Sequence, residues 1–186
     1  MLIRVHAFEP VSRANGPGLR AVVWLQGCTL ACPGCFNPAT HAPDGGYESD
    51  TETLAAEILS LASKIEGVSI SGGEPFQQPA ALLDLLSRLV DSHLSRLVFS
   101  GYTLQEIGRQ TLGPSILRRI DVLVAGRYAT TQHVGKSLLG SANQRIHLLT
   151  DRYELSQLAD VPRRELILRP DGTMTATGIS PWRPNS

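Results

Sequence analysis

Three cysteines, Cys28, Cys32 and Cys35, fall within eight residues of a 186-residue chain that has no others. An odd number cannot all pair, and thiols this close make a poor staple for a chain this long. The first residues, Met1-Leu2-Ile3-Arg4-Val5-His6, lack an apolar stretch of signal-peptide length. No window approaches about 18 uninterrupted apolar residues. The expectation is a cytoplasmic protein without membrane association, whose thiols stay reduced and gather round metal. With 42% hydrophobic residues the chain can build a core rather than remain disordered. Seventeen Lys+Arg against seventeen Asp+Glu leave no net charge, which argues against an electrostatic grip on nucleic acid.

Around the cysteines, strand and helix patterns alternate. Residues 19–25 read as a strand entered from Asn15-Gly16-Pro17-Gly18 and left at Gly27-Cys28, so the cysteines occupy a loop at a strand's C-terminal end. Ser49 followed by Glu52 reads as a capping box. The helix it opens carries Leu54, Ala55, Ile58, Leu61, Ala62 and Ile65 on one face. Residues 67–71 form a buried-type strand that runs into Gly72-Gly73-Glu74-Pro75. A helix over 78–90, with Pro79 in its first turn, comes next. A strand over 96–100 closed by Gly101, a short helix over 103–109, and strands over 121–125 and 145–149 complete the alternation. This order predicts right-handed βαβ units on a parallel sheet.

Residues 165–169 and 173–177, about Asp171-Gly172, predict a C-terminal β-hairpin. A closed eight-unit barrel needs about 250 residues, so the expected class is α/β with a partial, open β/α barrel of about five or six parallel strands, or else a small doubly wound sheet. One domain is expected over 1–186, with its core in 1–150 and an extension in 151–186. Chemistry on such sheets collects at the C-terminal ends of the strands. The cysteine loop, Gly72-Gly73-Glu74-Pro75 and Ser100-Gly101 all sit at such ends and should meet.

Cys28-x3-Cys32-x2-Cys35 offers three thiolates, whereas iron–sulfur clusters are usually held by four cysteines. Three on a four-iron cube would leave one iron open, in the way a catalytic metal site keeps an open position. A Cys3His zinc site completed by His41, and inert buried thiols, are the other readings of the spacing. Gly-Gly-Glu-Pro by itself is an ordinary strand-to-helix turn; beside such a loop it gains a function.

Cys-x3-Cys-x2-Cys followed by Gly-Gly-Glu-Pro on the next strand end resembles the radical S-adenosylmethionine superfamily. Gly16-Pro17-Gly18-Leu19-Arg20, Trp24, Gly27-Cys28 and Cys32-Pro33-Gly34-Cys35-Phe36-Asn37 are similar to its glycyl-radical-enzyme activating subfamily. Ser100-Gly101-Tyr102-Thr103, Asp121-Val122-Leu123-Val124-Ala125-Gly126-Arg127 and Gly140-Ser141-Ala142-Asn143-Gln144-Arg145 carry the likeness toward the activators of anaerobic ribonucleotide reductases. It covers residues 1–150. The chain departs from the pattern in three places. Gly34, not an aromatic, precedes Cys35, and Phe36 follows it; the glycine motif has Glu74 where Asp is frequent; the tail after Arg145 has no match.

The resemblance implies a 4Fe-4S cluster on Cys28, Cys32 and Cys35, with the open iron chelating the amino and carboxylate groups of S-adenosyl-L-methionine. One electron from a flavodoxin- or ferredoxin-like donor would cleave the sulfonium to methionine and a 5′-deoxyadenosyl radical, which takes a hydrogen atom from the target. Such chemistry belongs to the cofactor, so no catalytic residue beyond the cluster is expected. Gly34 and Phe36 are expected at the adenine, and Gly72 and Gly73 at the ammonium, where a Cβ would intrude. Glu74 is expected to add charge or fix the turn, Ser100 to reach the ribose, and Asn143, which like Arg127 stands in a matched subfamily position, to contact the cofactor. Trp24 is expected in the core. The implied target is a larger glycyl-radical-type protein. A peptide, nucleoside or small molecule is the competing target, and a non-catalytic zinc or iron–sulfur module the competing class.

Overall fold

The computed structural model describes residues 1–179. The chain opens with β1 (Leu2–Ser12), β2 (Arg20–Leu25) and β3 (Tyr47–Asp50), then α1 (Thr51–Ser60), β4 (Gly67–Gly72), α2 (Pro79–Leu89) and β5 (Ser95–Ser100). It continues through α3 (Leu104–Arg109), α4 (Gly113–Leu117), β6 (Val122–Ala125), β7 (His133–Lys136), β8 (Leu139–Ser141) and β9 (Arg145–Leu148). Last come α5 (Leu155–Ala159), β10 (Glu165–Leu168) and β11 (Met174–Thr177).

Seven strands share one mixed sheet in the order β3-β1-β2-β4-β5-β6-β9, and its edge strands β3 and β9 are not bonded to each other. Only β2, β4, β5 and β6 are mutually parallel; β1, β3 and β9 run antiparallel to their neighbours. The parallel set is therefore four strands, not five or six. The reason lies between Ala125 and Arg145, where a 3₁₀ turn and the β7–β8 pair stand in place of an α-helix. Without a crossover helix the chain returns antiparallel. The longest strand, β1, was not expected. Bulges between Val5 and Ala7 and between Glu9 and Ser12 break its alternation, and buried Glu9 and Ser12 disguise its end.

One sheet face packs Val23, Ile70, Val98 and Leu123 against helix residues such as Leu54, Ile58, Leu82, Leu85 and Ile116. On the other face Leu97, Val122 and Val124 meet Leu138, Leu158 and Val161. The α1 cap is Asp50, whose side chain accepts from Glu52 N–H (2.8 Å), and not Ser49, which β3 already uses. The helix stops at Ser60, one turn short of the predicted face. Thr103 and Glu106 do form a reciprocal capping box at α3.

Arg20 is fully buried at the N-terminal end of β2. It donates to Ser69 Oγ (2.8 Å), Ser95 Oγ (2.8 Å), Val68 O (2.8 Å) and Pro17 O (3.2 Å). A Cβ on Gly16 would lie 2.6 Å from Arg20 Cδ. The Gly-Pro-Gly run thus wraps a buried guanidinium at the end of the sheet away from the cysteines, and its role there is structural.

The predicted hairpin is present, with Leu168 opposite Met174 and Glu165 opposite Thr177. It docks on the end of β1. Glu165 accepts from Ser12 Oγ (2.7 Å) and Arg13 N–H (2.8 Å), Asn15 donates to Thr177 Oγ1 (2.9 Å), and Arg169 pairs with buried Glu9. Glu165→Ala removes two bonds and should destabilise this docking by about 1–3 kcal/mol. Limited proteolysis checks it: cleavage within 151–179 should speed up while the 1–150 part stays intact.

Candidate metal centre

β2 ends at Leu25, and the chain turns through Gly27 (φ +95) into a loop that carries all three cysteines. Gly27 N–H donates to Thr40 O (2.8 Å) and Cys28 N–H to His41 O (3.1 Å), which closes the loop at its neck. Within it, Cys35 N–H donates to Cys32 O (3.1 Å), and Asn37 N–H points at Cys35 Sγ (3.4 Å). Three glutamines hold the loop from outside. Gln26 donates to Ala42 O (2.7 Å), Gln77 accepts from Thr29 N–H (3.0 Å) and donates to Tyr102 Oη (3.0 Å), and Gln78 donates to Gln26 O (3.0 Å). Sequence reasoning passed over all three. The available signal was position: they flank the cysteine and glycine motifs, with a side chain that both donates and accepts.

β4 lies parallel to β2 with Gly72 opposite Leu25. Gly73 N–H donates to Leu25 O (2.7 Å) and Glu74 N–H to Gly27 O (2.9 Å). A Cβ on Gly72 (φ +100) would stand 2.5 Å from Leu25 N, and one on Gly73 2.3 Å from Gly27 O. The obstacle a side chain meets here is therefore the backbone that launches Cys28. The Gly-Gly pair welds the two motifs together.

Glu74 is 1% exposed. Its carboxylate accepts from Phe76 N–H (3.0 Å), Ser100 Oγ–H (2.8 Å) and Gly101 N–H (2.7 Å), so it ties the β4 exit to the β5 exit. Burial pushes this carboxyl up to about 7 from the ordinary 4.5, against the pull of those three bonds. A carboxyl raised in the fold holds its proton more tightly there than in the unfolded chain. Its contribution to stability is complete below the unfolded value and is lost as pH rises through about 7. The cluster-free chain should lose up to about 3 kcal/mol through this group between about pH 5 and about pH 8, and Glu74→Gln should flatten that slope. Urea unfolding at the two pH values decides it; an unchanged slope in the variant would clear Glu74 of the effect.

The ends of β2, β4 and β5 open on one cavity of about 370 Å³, within the size range of small-molecule sites. Cys28, Cys32 and Cys35 line it, and so do Phe36, Gly72, Gly73, Glu74 and Ser100. Ser100 already gives its hydroxyl proton to Glu74 and accepts from Tyr102 N–H (3.0 Å). Trp24, expected in the core, is half-buried on this wall with Phe99. Two predicted residues are not brought to it. Gly34 (φ +70) is exposed on the loop, where a Cβ would strike Thr130 Cγ2 at 2.3 Å. Asn143 is exposed and donates to Arg127 O (2.8 Å), while its neighbour Gln144 lines the cavity. Arg127 binds Glu106 (3.0 Å) over the Tyr102 ring. Tyr128, which the sequence did not single out, packs its ring 4.3 Å from Phe36.

The three thiols are unpaired and half-buried. Burial, with lesser help from Glu74 and the other two cysteines, pushes the Cys28 thiol up; a bound metal would overcome that by deprotonating it. Among the described residues no three His, Cys, Asp or Glu side chains gather as ligands of a single ion. His41 meets Cys28 through its backbone carbonyl instead. A cubane takes each thiolate on a different iron, so thiols spread along one cavity wall fit a cluster better than a lone zinc.

The cysteine loop and the glycine turn lie within residues 14–147, and the match of that stretch to the 4Fe-4S single cluster domain family makes this an iron–sulfur protein. The chain is 33% identical to the anaerobic ribonucleoside-triphosphate reductase-activating protein of Vibrio cholerae, over 78% of this chain and 97% of that one. It is 34% identical to the protein of that name from Pasteurella multocida, over 77% and 96%. A pyruvate formate-lyase-activating enzyme from Clostridium pasteurianum is 40% identical over a shorter stretch, 45% of this chain and 37% of that one. This chain belongs to the family of glycyl-radical-enzyme activating proteins. No helix among the described residues is long and apolar enough to cross a membrane.

Proposed function

We propose that the chain is a radical S-adenosylmethionine activase that installs a glycyl radical on a larger partner, an anaerobic ribonucleoside-triphosphate reductase, the protein for which its relatives are named. The observation that carries this reading is the meeting of the three-thiol loop, the Gly-Gly-Glu-Pro turn and Ser100-Gly101 at one cavity. Cys28, Cys32 and Cys35 would hold the 4Fe-4S cluster, leaving one iron for S-adenosyl-L-methionine. Bound together, cluster and cofactor supply reductive cleavage to methionine and a hydrogen-abstracting 5′-deoxyadenosyl group.

The chain's own residues bind, orient and dry the site. Phe36, backed by Tyr128, forms an apolar wall. Asn37 N–H, aimed at Cys35 Sγ, favours the sulfur's negative charge. Glu74 fixes the Gly101 backbone beside the loop, and Gly72, Gly73 and Ser100 complete the cofactor wall. Gly34 and Asn143 act from behind it, by shaping the loops they occupy. The four parallel strands with their antiparallel flanks serve as an open part-barrel, one domain with its core in 1–150 and its extension beyond. A flavodoxin- or ferredoxin-like protein supplies the electron, and reduced thiols suit a cytoplasmic setting.

The test is anaerobic reconstitution with iron and sulfide, then dithionite and S-adenosyl-L-methionine. The expected products are 5′-deoxyadenosine and, with the reductase present, a glycyl radical seen by electron paramagnetic resonance. A well-formed cluster that yields neither overturns the reading. Turnover of a small substrate with no partner protein would overturn the choice of target.

A further inference from the structure

The family match ends at residue 147, and the Vibrio relative aligns over 97% of its own length but 78% of this chain. The α5, β10 and β11 elements come after that match. Yet β11 reaches the site. Five consecutive residues, from Thr175 to Ile179, line the same cavity as the three thiols. Thr175, Ala176 and Thr177 belong to β11, and Gly178 and Ile179 follow it, so the cavity runs alongside this strand and its exit.

The hairpin register fixes what the outer edge of β11 carries. Arg169 N–H donates to Thr173 O (2.9 Å), and the pairing continues through Ile167 opposite Thr175 and Glu165 opposite Thr177. Closely bonded pairs alternate in an antiparallel ladder, so the N–H and C=O of Ala176 point away from β10. No third strand joins β10 and β11 among the described residues, and no hydrogen bond there reaches those two groups. Beside this edge the outer face of the hairpin is apolar and open, with Leu166, Leu168 and Met174 all about half exposed or more. An unpaired strand edge flanked by apolar side chains is a template for another extended chain.

We infer that the free edge of β11 docks an extended polypeptide segment of the target protein, pairing with it backbone to backbone at Ala176 in the cavity that holds the thiols. This rests on the activase reading and adds to it the form in which the target is held. Most of the hairpin's other contacts are already committed: Thr175 to Arg169, Thr177 to Asn15, Glu165 to Ser12. They fix the edge in place before any partner arrives, and a preformed edge costs little ordering on binding.

Hydrogen exchange on the reconstituted full chain, with and without the whole anaerobic ribonucleoside-triphosphate reductase, tests the inference. The segment 174–178 should exchange more slowly in the complex. Ala176→Pro removes the outward N–H without touching the β10–β11 ladder, and it should weaken the complex at least about tenfold. Ala176→Ser keeps the N–H and should bind like the unchanged chain. A complex whose 174–178 segment exchanges as in the free chain, or an A176P chain that binds normally, overturns this inference alone. Protection that grows with the chain's own concentration and tracks a dimer overturns it in favour of a second copy. Failure to form any complex with the reductase overturns the reading beneath it.

Discussion

Replacing Cys32 by alanine is expected to abolish cluster assembly and cleavage of S-adenosyl-L-methionine together. The loop offers three thiols and no fourth cysteine exists to substitute. His41 meets the loop through its backbone carbonyl, and among the described residues its ring joins no group of three metal-ligating side chains. Loss of even an outer partner of a metal ligand typically costs about 10–100-fold, so loss of a ligand itself should exceed about 100-fold. The fold should persist. Cys32 is half-buried, and neither apolar core includes it, so unfolding of the cluster-free variant should match the parent within about 0.5 kcal/mol. Iron and sulfide content, visible absorption and 5′-deoxyadenosine yield are the measurements. A Cys32→Ala chain that assembles a full cluster would remove Cys32 from the ligand set.

That prediction was legible in the sequence because cysteine spacing needs no tertiary knowledge. The same holds for β2, β5 and β6, whose apolar runs mark strands buried on both faces, and for β4, whose Val68 and Ile70 lead into the glycine turn. Strand direction was not legible. Arg145 to Leu148 looks the same whether it returns parallel or antiparallel, and only the missing helix before it decides. β1 was hidden by its two bulges, and β3 by its polar Tyr-Glu-Ser-Asp composition.

Within the site, residue types were legible and their obstacles were not. Glu74 could be read as fixing a turn, but its partners Ser100 and Gly101 lie on another strand end and become neighbours only through the β4–β5 pairing. Asn143 looked like a cofactor contact by its place in a motif, yet it spends its amide on Arg127, and Gln144 next to it faces the cavity. The glutamines 26, 77 and 78 show the same limit. A residue whose work is to join two loops has no periodicity and no spacing rule to reveal it.

Gly73→Val is expected to damage the cysteine loop as well as cofactor binding, and Gly73→Ala should do nearly the same. The sequence alone assigns this glycine to the cofactor's ammonium, where a Cβ would intrude. On that view an added side chain weakens cofactor binding, and the cluster survives it. The structure puts the first added carbon 2.3 Å from Gly27 O and 2.8 Å from Gly27 C. These are backbone atoms, held by the Glu74 N–H bond to Gly27 O (2.9 Å) and the Gly27 N–H bond to Thr40 O (2.8 Å), so they cannot swing aside as a side chain would. The collision therefore begins with the Cβ, and valine's extra methyls add little. Forced overpacking of this kind costs about 1–3 kcal/mol and sometimes more, and relief here requires breaking the bonds that set the Cys28 turn. Both variants should show a lower unfolding midpoint and iron incorporation well below the parent. Gly101→Ala is the matched control at the neighbouring strand end: its Cβ crowds the flexible Leu30 Cδ1 at 2.4 Å, while Glu74 Oε2 lies at 3.4 Å and no backbone atom comes as near, so its cluster content should stay near that of the parent. If both variants instead fill with iron normally and lose only affinity for S-adenosyl-L-methionine, then the glycine serves the cofactor, and the contact with Gly27 is soft enough to yield.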